Sequence, residues 1–201
     1  MDVDTYCITL PEYPTRMEAV RSYFLSNGLQ VKFFYGIHAE RFGLYTGWRY
    51  DVDHPGTGYH IGGKNVGCWL SHYMLWSALT LAEGDHFMVL EDDAEFCPNW
   101  RTRMDQALAD VPPDFDMLYV GSCNCGDKPK TQVKGEVWDV RYPFCTHAYI
   151  VARKALPVLI ATQRKVYAPI DCSMTFHSHP LLKVYTVLPR IFNQKNTFIQ
   201  D

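Results

Sequence analysis

The chain has 201 residues, 47% of them hydrophobic and 20% charged, which is the composition of a globular domain with a sizeable core. A formal net charge of -3, without an arginine-rich or lysine-rich run, argues against a nucleic-acid partner. No apolar stretch approaches the ~20 residues that a transmembrane segment needs, so any membrane contact is expected to be peripheral. We therefore expect a single domain over residues 1–201.

The beginning of the chain has the pattern of a strand, a helix and a second strand. Residues 4–10 are mostly apolar and predict a strand. Thr15 and Glu18 have the spacing of a capping box at a helix start, and Gly28 is placed to end that helix. Residues 29–36 predict the second strand. This order favours a parallel pair of strands and an α/β sheet.

The N-terminus and the cysteines bear on the compartment. The first ten residues lack the basic and apolar regions of a signal peptide, which predicts a cytoplasmic protein or an excised domain. The cysteines are odd in number and follow no disulfide framework, so reduced thiols are expected. Cys123 and Cys125 form an isolated C-x-C. Because no two further ligands lie near them in sequence, a structural zinc site is not expected.

The segment 38–64 is irregular and rich in glycine, and a loop of this length is usually functional or mobile. Residues 68–82 then predict a helix ended by Gly84. Such a helix places Ser71 and His72 in its first turn, where a helix N-terminus favours anions. Its predicted inner face consists of Leu70, Tyr73, Met74, Ser77, Ala78 and Leu81.

The rest of the chain alternates between strand and helix patterns. Residues 86–90 lack alternation, which predicts a strand buried on both faces. A helix is expected over 99–111, where two prolines end it. The other predicted elements are a strand over 115–122, an edge strand or hairpin arm over 135–143, a strand over 146–152, a helix near 154–165 and a last strand over 181–192.

Three acidic residues, Glu91, Asp92 and Asp93, follow the buried strand directly. In open α/β sheets, ligands bind beyond the carboxyl ends of the strands. Adjacent carboxylates raise one another's pKa, and a divalent cation removes that repulsion. Carboxylate oxygens suit Mg²⁺ or Mn²⁺. Because side chains alternate along an extended backbone, Glu91 and Asp93 can face one metal ion, while Asp92 can accept a hydroxyl.

Two alternatives fit the acidic triplet taken alone. One is a solvated turn whose charge has no function. The other is a response-regulator receiver, in which Asp139 is the phosphoacceptor at the end of a later strand. Against the receiver, Asp139 precedes "VRYP" rather than a short turn that contains glycine. The segment before the triplet also has no role in a domain that begins with that strand.

Several blocks of the chain together resemble glycosyltransferase family 25, which includes lipooligosaccharide galactosyltransferases and collagen hydroxylysine galactosyltransferase domains. The blocks are "CITLPEYPTR", "VGCWLSHYMLW", "FMVLEDDAEF", "FDMLYVG", "THAYIVARKAL", "PID" and "VYTVLPRIFNQ". The most specific feature is G-C-x-x-S-H followed by V-L-E-D-D. The resemblance implies the GT-A fold, a Rossmann-like α/β fold with a mostly parallel central sheet flanked by helices.

The resemblance also implies a reaction: metal-dependent, inverting transfer of galactose or glucose from a UDP-sugar. The acceptor is then a hydroxyl of a glycan, glycolipid or hydroxylysine, as in lipopolysaccharide biosynthesis, and the cofactor is Mn²⁺ or Mg²⁺. In this scheme Arg16, Ser71 and His72 contact the donor, Asp92 takes a ribose or sugar hydroxyl, and Asp171 is the catalytic base. The alternatives are another nucleotide-diphosphate-sugar enzyme with the same donor site and a catalytically degenerate protein that binds sugar nucleotides.

Overall fold

The computed structural model describes residues 3–44, 62–123, 130–140, 142–166 and 168–195. Most of the predicted long loop, residues 45–61, and Cys125 lie outside these ranges. The strands are β1 Asp4–Thr9, β2 Lys32–Tyr35, β3 His86–Glu91, β4 Ala94–Phe96, β5 Met117–Tyr119, β6 Lys130–Lys134, β7 Val137–Val140, β8 Ala148–Ala152, β9 Val184–Val187 and β10 Phe192–Gln194. The α-helices are α1 Pro14–Ser26, α2 Gly63–Leu79, α3 Trp100–Asp110, α4 Leu156–Thr162 and α5 Ile170–Ser173.

Eight of these strands form one sheet in the order β2-β1-β3-β8-β5-β9-β7-β6. The predicted strand-helix-strand start is confirmed, because β1 runs parallel to both β2 and β3. Strand β8 is antiparallel to its neighbours β3 and β5, and β5 is parallel to β9. As predicted, β3 is buried on both faces: Met88 and Leu90 belong to one hydrophobic core, and Phe87 and Val89 to the other.

Helix α1 begins at Pro14, and no side chain caps its N-terminus, so the predicted capping box is wrong. Proline at the first helical position has the φ angle that a helix needs and lacks only an N–H that would be unpaired there anyway. The predicted end is confirmed, because Gly28 takes the left-handed backbone that favours glycine, with φ +74°. Arg16 therefore lies in the first turn of α1.

Helix α2 begins at Gly63, earlier than predicted, and its buried face also differs from the prediction. Trp69, His72 and Trp76 are buried, whereas Met74 is 45% exposed and Leu81, beyond the helix end, is 90% exposed. Apolar residues occur all round this helix, so periodicity alone does not select a face. The choice is made by tertiary packing, which buries the two tryptophans in the core.

A second, small sheet completes the region after the acidic triplet. Strand β4 follows the triplet and pairs antiparallel with β10, which aligns Ala94 with Gln194. This pairing brings the late segment against the triplet: the backbone N–H of Lys195 donates to the carbonyl of Asp93 over 2.8 Å. Both strands have only three residues, and neither was predicted as a separate strand.

The receiver alternative is wrong. Asp139 lies within β7 and is exposed. Strand β7 runs antiparallel to β6 and β9, so β6 and β7 form a hairpin near this edge of the sheet. Of the two predictions for residues 135–143, the hairpin arm is confirmed. A receiver instead needs its phosphoacceptor at the end of a parallel strand, in the same cluster as the acidic pair.

The expectation that all cysteines are reduced is also wrong for one pair. Cys123 and Cys145 form a disulfide across 22 residues. Cys7, Cys68, Cys97 and Cys172 are free.

Within the described ranges, no helix is both long and apolar enough to cross a bilayer.

The buried histidine His179 gives the fold a pH dependence. Its Nε2 pairs with the Tyr119 hydroxyl at 3.0 Å, and burial lowers its pKa to about 3. In the folded state His179 therefore stays neutral at a pH where the unfolded chain takes up a proton. The contribution of His179 to the free energy of unfolding is complete above the ordinary histidine pKa of ~6.5. It is lost as pH falls below that value, by up to ~1.4 kcal/mol per pH unit.

We therefore expect the difference in unfolding free energy between the wild type and His179→Gln to narrow by about 1.4 kcal/mol between pH 8 and pH 5.5. Urea unfolding at the two pH values measures that difference. Glutamine keeps a group able to pair with Tyr119 but does not titrate. A difference that is the same at both pH values would mean that His179 takes up its proton in the folded state too.

Candidate active site

A cavity of about 630 Å³ opens at the carboxyl ends of β1 and β3, beside the first turns of α1 and α2. Its volume is in the range of ligand pockets, ~300–1,000 Å³. The acidic triplet lies in its wall together with three cationic residues, Arg16, Lys64 and Lys195. Anionic and cationic groups thus share one cavity at the edge of the sheet where α/β proteins bind ligands.

Asp92 is held by two protein groups. Its Oδ2 accepts a hydrogen bond of 2.9 Å from the Thr9 hydroxyl, and its Oδ1 forms an ion pair with the Arg16 guanidinium. Burial raises the pKa of Asp92, although both partners oppose that rise. The structure thus pairs two predicted donor-binding residues with each other at the cavity wall. Their contacts with a donor stay predictions.

Asp93 has one satisfied and one unsatisfied carboxylate oxygen. Gln194 Nε2 donates to Oδ2 over 2.9 Å, whereas Oδ1 is buried and no donor from the described residues reaches it. Burial, with the neighbouring Glu91 carboxylate, raises the pKa of Asp93 to about 7. A buried anionic oxygen without a partner is costly, and a cation removes that cost. The predicted Mg²⁺ or Mn²⁺ therefore fits this position.

Glu91 is fixed through one oxygen. His72 Nε2 donates to Oε1 over 3.0 Å, and the Thr146 hydroxyl donates to the same oxygen over 2.6 Å. Burial opposes ionisation of Glu91, but these hydrogen bonds and the nearby His72 hold its pKa below the usual value. Since these donors meet at Oε1, Oε2 is the oxygen that Glu91 can offer to a metal beside Asp93.

A buried hydrogen-bonded chain orients His72 toward Glu91. Trp76 Nε1 donates to the Tyr149 hydroxyl over 2.8 Å, and that hydroxyl contacts His72 Nδ1 at 2.9 Å. Indole N–H can only donate, so the Tyr149 oxygen accepts from it and is free to donate its own proton to Nδ1. The proton on the other nitrogen, Nε2, then points at Glu91. His72 therefore positions Glu91 and has both ring nitrogens occupied by protein.

The prediction that Ser71 and His72 lie in the first turn of their helix is wrong, because α2 begins at Gly63. Ser71 instead fastens the loop after β2: its oxygen accepts from the Ile37 N–H over 2.8 Å and donates to the Gly67 carbonyl over 2.6 Å. A Cβ atom on Gly67 would lie 2.5 Å from the Ile37 carbonyl. Gly67 thus allows a close contact between the helix and the loop, and the hydrogen bonds of Ser71 hold that contact in place.

The anion-favouring first turn of α2 belongs to other residues. Gly63 and Lys64 lie in that turn and line the large cavity. No side chain caps this end of α2 within the described part of the chain. Backbone N–H groups at a helix N-terminus bind phosphate readily. Sequence reasoning missed both residues because it placed the helix start at Cys68.

Asp171 lies in α5 and faces a second cavity of about 240 Å³, which shares Cys68 and Glu91 with the first. Its Oδ2 accepts from the Cys145 N–H over 3.0 Å and its Oδ1 from the Cys172 N–H over 2.8 Å. The structure therefore places the predicted base in the second cavity, whose wall also contains Glu91 but not Asp93. Two backbone donors fix its carboxylate, while its role as a base stays a prediction.

Four further residues contribute to the site without having been predicted: Thr9, Thr146, Gln194 and Lys195. Each reaches the acidic triplet from an element distant in sequence, by the contacts described above. A threonine or a glutamine in an ordinary strand context carries no signal of its own. Thr9, Thr146 and Gln194 lie in quoted blocks that resemble the family, and only that resemblance could have pointed to them.

Tyr149→Phe tests the buried chain. The substitution removes the hydroxyl between Trp76 and His72 and leaves a buried indole N–H without an acceptor, so we expect a loss of ~1–3 kcal/mol in unfolding free energy. Because His72 loses its orienting partner, affinity for Mn²⁺ should also fall. Urea unfolding and metal titration measure the two effects. The matched control is Tyr73→Phe, which lies in α2 like His72 and Trp76 but outside the hydrogen-bonded chain. Equal losses in both variants would contradict the role of the hydrogen-bonded chain.

Most of the chain is similar in sequence to one family of known proteins. A sequence model of "Glycosyltransferase family 25 (LPS biosynthesis protein)" matches residues 3–137. The human protein "Inactive glycosyltransferase 25 family member 3" is 29% identical over 134 residues, or 63% of this chain and 22% of that protein. A "Glycosyltransferase 25 family member" of Aedes aegypti is 26% identical over 196 residues, or 87% of this chain and 31% of that protein. The chain thus spans under a third of the length of these relatives.

The fold has a counterpart among solved structures. A crystal structure of a glycosyltransferase involved in the glycosylation of the major capsid of PBCV-1 has a TM-score of 0.56 and 11% sequence identity, and the likeness covers 98% of this chain and 95% of that one. At this identity the likeness concerns the fold. The predicted GT-A type of α/β fold is confirmed.

Proposed function

The chain belongs to glycosyltransferase family 25, and from this we propose that it is a metal-dependent, inverting hexosyltransferase. It moves galactose or glucose from a UDP-sugar to a hydroxyl of a glycan, glycolipid or hydroxylysine. The observation that carries the proposal is the buried Oδ1 of Asp93, which has no partner in the described structure and lies beside Glu91 in the large cavity. A purely structural turn gains nothing from such an oxygen.

The donor occupies the large cavity. The first turn of α2, at Gly63 and Lys64, offers backbone N–H groups and a positive charge to the diphosphate. Asp93 and Glu91 hold the Mn²⁺ or Mg²⁺ ion, which supplies positive charge to the leaving diphosphate when bound. Arg16 keeps Asp92 in place at the wall, so that Asp92 can accept a ribose or sugar hydroxyl.

The acceptor approaches from the second cavity. There Asp171 accepts the proton of the attacking hydroxyl, and the two backbone donors keep its carboxylate aimed at that position. Since Glu91 lies in both cavities, donor and acceptor meet beside it. One base and one displacement invert the configuration at the transferred sugar.

A second candidate is a degenerate protein that binds sugar nucleotides without turnover. The human relative, which carries the word inactive in its name, favours it. The two candidates differ at Asp171, because a binding protein needs the donor site but no base. The cytoplasmic location, the link to lipopolysaccharide biosynthesis and the single domain over residues 1–201 stay predictions in either case.

The test is calorimetry of UDP-galactose and UDP-glucose binding with Mn²⁺ and with a chelator, followed by assays of donor hydrolysis and of transfer to hydroxyl acceptors. We expect Mn²⁺-dependent binding and turnover of one donor. Mn²⁺-dependent binding without hydrolysis or transfer would support the degenerate binder. Failure of both donors to bind in either condition would contradict both candidates.

A further inference from the structure

A cluster of two cysteines and a histidine lies beside the second cavity, outside the residues that act on the sugar. In this Cys-Cys-His cluster the sulfurs of Cys123 and Cys145 and one ring nitrogen of His147 all lie within 4.8 Å of one another. Cys123 follows β5, and the other two residues lead into β8. An isolated β-bridge between Cys123 and Phe144 holds the two segments together.

His147 has one ring nitrogen without a partner. Its Nε2 lies 3.2 Å from the Phe192 carbonyl, which can only accept, so Nε2 carries the proton. In the neutral ring Nδ1 then has a lone pair, yet it is buried and no donor from the described residues reaches it. A buried imidazole with an unused lone pair, in a ring that lies close to two sulfurs, can serve as a metal ligand, and the hydrogen bond at the other nitrogen fixes the ring as in known metal sites.

The backbone already has the spacing that such a site needs. The Cα atoms of Cys123 and Cys145 are 5.6 Å apart in the disulfide. Two thiolates on one tetrahedral zinc, each with a Zn–S distance of ~2.3 Å, place their sulfurs ~3.8 Å apart. Rotation of the two side chains about their Cα–Cβ bonds is enough to separate the sulfurs by that amount. No movement of β5 relative to β8 is required.

We propose that the reduced form of the Cys-Cys-His cluster is a zinc site, with Cys123, Cys145 and His147 as ligands and water in the fourth position. A thiol or phosphine reductant supplies the two electrons, and two protons complete the conversion of the disulfide to two thiols. Zn²⁺ then binds the sulfurs and displaces those two protons. Three protein ligands with an open fourth position are typical of zinc sites that retain a water.

This site differs in chemistry from the proposed donor site. Thiolate and imidazole ligands select zinc, whereas the carboxylates of Asp93 and Glu91 select Mg²⁺ or Mn²⁺. The C-x-C pattern alone does not predict it, because the remaining ligands follow 22 or more residues later, on the far side of the β6–β7 hairpin. The proposal goes beyond the transferase reaction and does not depend on it.

The experiment is an anaerobic zinc titration of the whole chain, reduced with a phosphine, in competition with a chromophoric chelator. Cobalt substitution gives a second reading, since thiolate ligands produce a charge-transfer absorption that carboxylates do not. We expect one equivalent of zinc in the wild type and in Cys97→Ser, a control cysteine outside the cluster. Binding should be lost in Cys123→Ser and Cys145→Ser. His147→Gln, which retains a donor for the Phe192 carbonyl, should weaken binding at least tenfold.

Circular dichroism of each reduced variant separates loss of the site from loss of the fold. The Asp93→Asn variant should bind zinc like the wild type, which excludes the donor site. The proposal is overturned if the reduced wild type binds no zinc. It is also overturned if zinc persists in Cys145→Ser and disappears in Cys68→Ser, because the ion then binds at Cys68, His72 and Glu91, the other group close enough to hold a metal among the described residues.

Discussion

Replacement of Asp93 by asparagine is expected to lower the Mn²⁺-dependent affinity for the UDP-sugar by about 100-fold, equivalent to ~2.8 kcal/mol. The reason is the unpaired Oδ1, since asparagine keeps an oxygen for Gln194 but places an uncharged NH₂ group where the metal needs an anionic oxygen. The same change removes a buried negative charge next to Glu91. At pH 8 the metal-free variant should therefore be as stable as the wild type or more stable, a common trade-off at functional sites.

Calorimetry with and without Mn²⁺ measures the affinity, and thermal unfolding in chelator measures the stability. The matched control is Asp139→Asn, which makes the same chemical change at an exposed position of strand β7. It should leave donor binding intact. Equal donor binding by wild type and Asp93→Asn would place the metal elsewhere, and a destabilised Asp93→Asn would show that the carboxylate is structural.

Replacement of Asp171 by asparagine is expected to reduce the transfer rate by ~10²–10⁴-fold, the usual contribution of a positioned general base. Donor affinity should stay within about twofold of the wild type, because Asp171 faces the second cavity whereas the proposed donor site is the first. Asparagine also places an NH₂ group where one Asp171 oxygen accepts a hydrogen bond from a backbone N–H. Two donors then face each other, so the variant loses some stability. Kinetics with both substrates separate kcat from the donor KM.

The control variant must also lose stability by replacing a carboxylate that accepts a backbone hydrogen bond. Asp116→Asn does so, because Asp116 also accepts a backbone hydrogen bond, from the Lys183 N–H over 2.8 Å, and lines neither cavity. We expect it to lower the melting temperature without changing kcat. If Asp171→Asn lowers stability to a similar extent and leaves kcat unchanged, Asp171 is a structural residue and the base lies elsewhere.

The sequence predicted those parts of the site that depend on local pattern. The buried run before Glu91 identified β3, and the acidic triplet at its end marked the edge of the sheet where the large cavity opens. The position of Arg16 followed from the short turn between β1 and α1. In each case neighbours in sequence carry the information, because a strand end and a helix start are local features.

The misassigned parts depend on tertiary packing. Helix α2 is apolar on every side, so only the packing of Trp69 and Trp76 decides that His72 points inward toward Glu91. The hydrogen-bonded chain through Tyr149 joins residues 77 positions apart, which no spacing rule connects. The disulfide between Cys123 and Cys145 was missed for a related reason, since spacing alone does not bring two strands of a mixed sheet together.

The pairing of β4 with β10 has a consequence for the synthesis of the protein on the ribosome. Asp93 emerges 101 residues before Gln194, the residue that holds its Oδ2. Strands β1, β2 and β3 can associate while the chain is still growing, but the wall beside the triplet closes only when β10 arrives. The growing chain can thus form much of its core before the candidate metal position at Asp93 is complete.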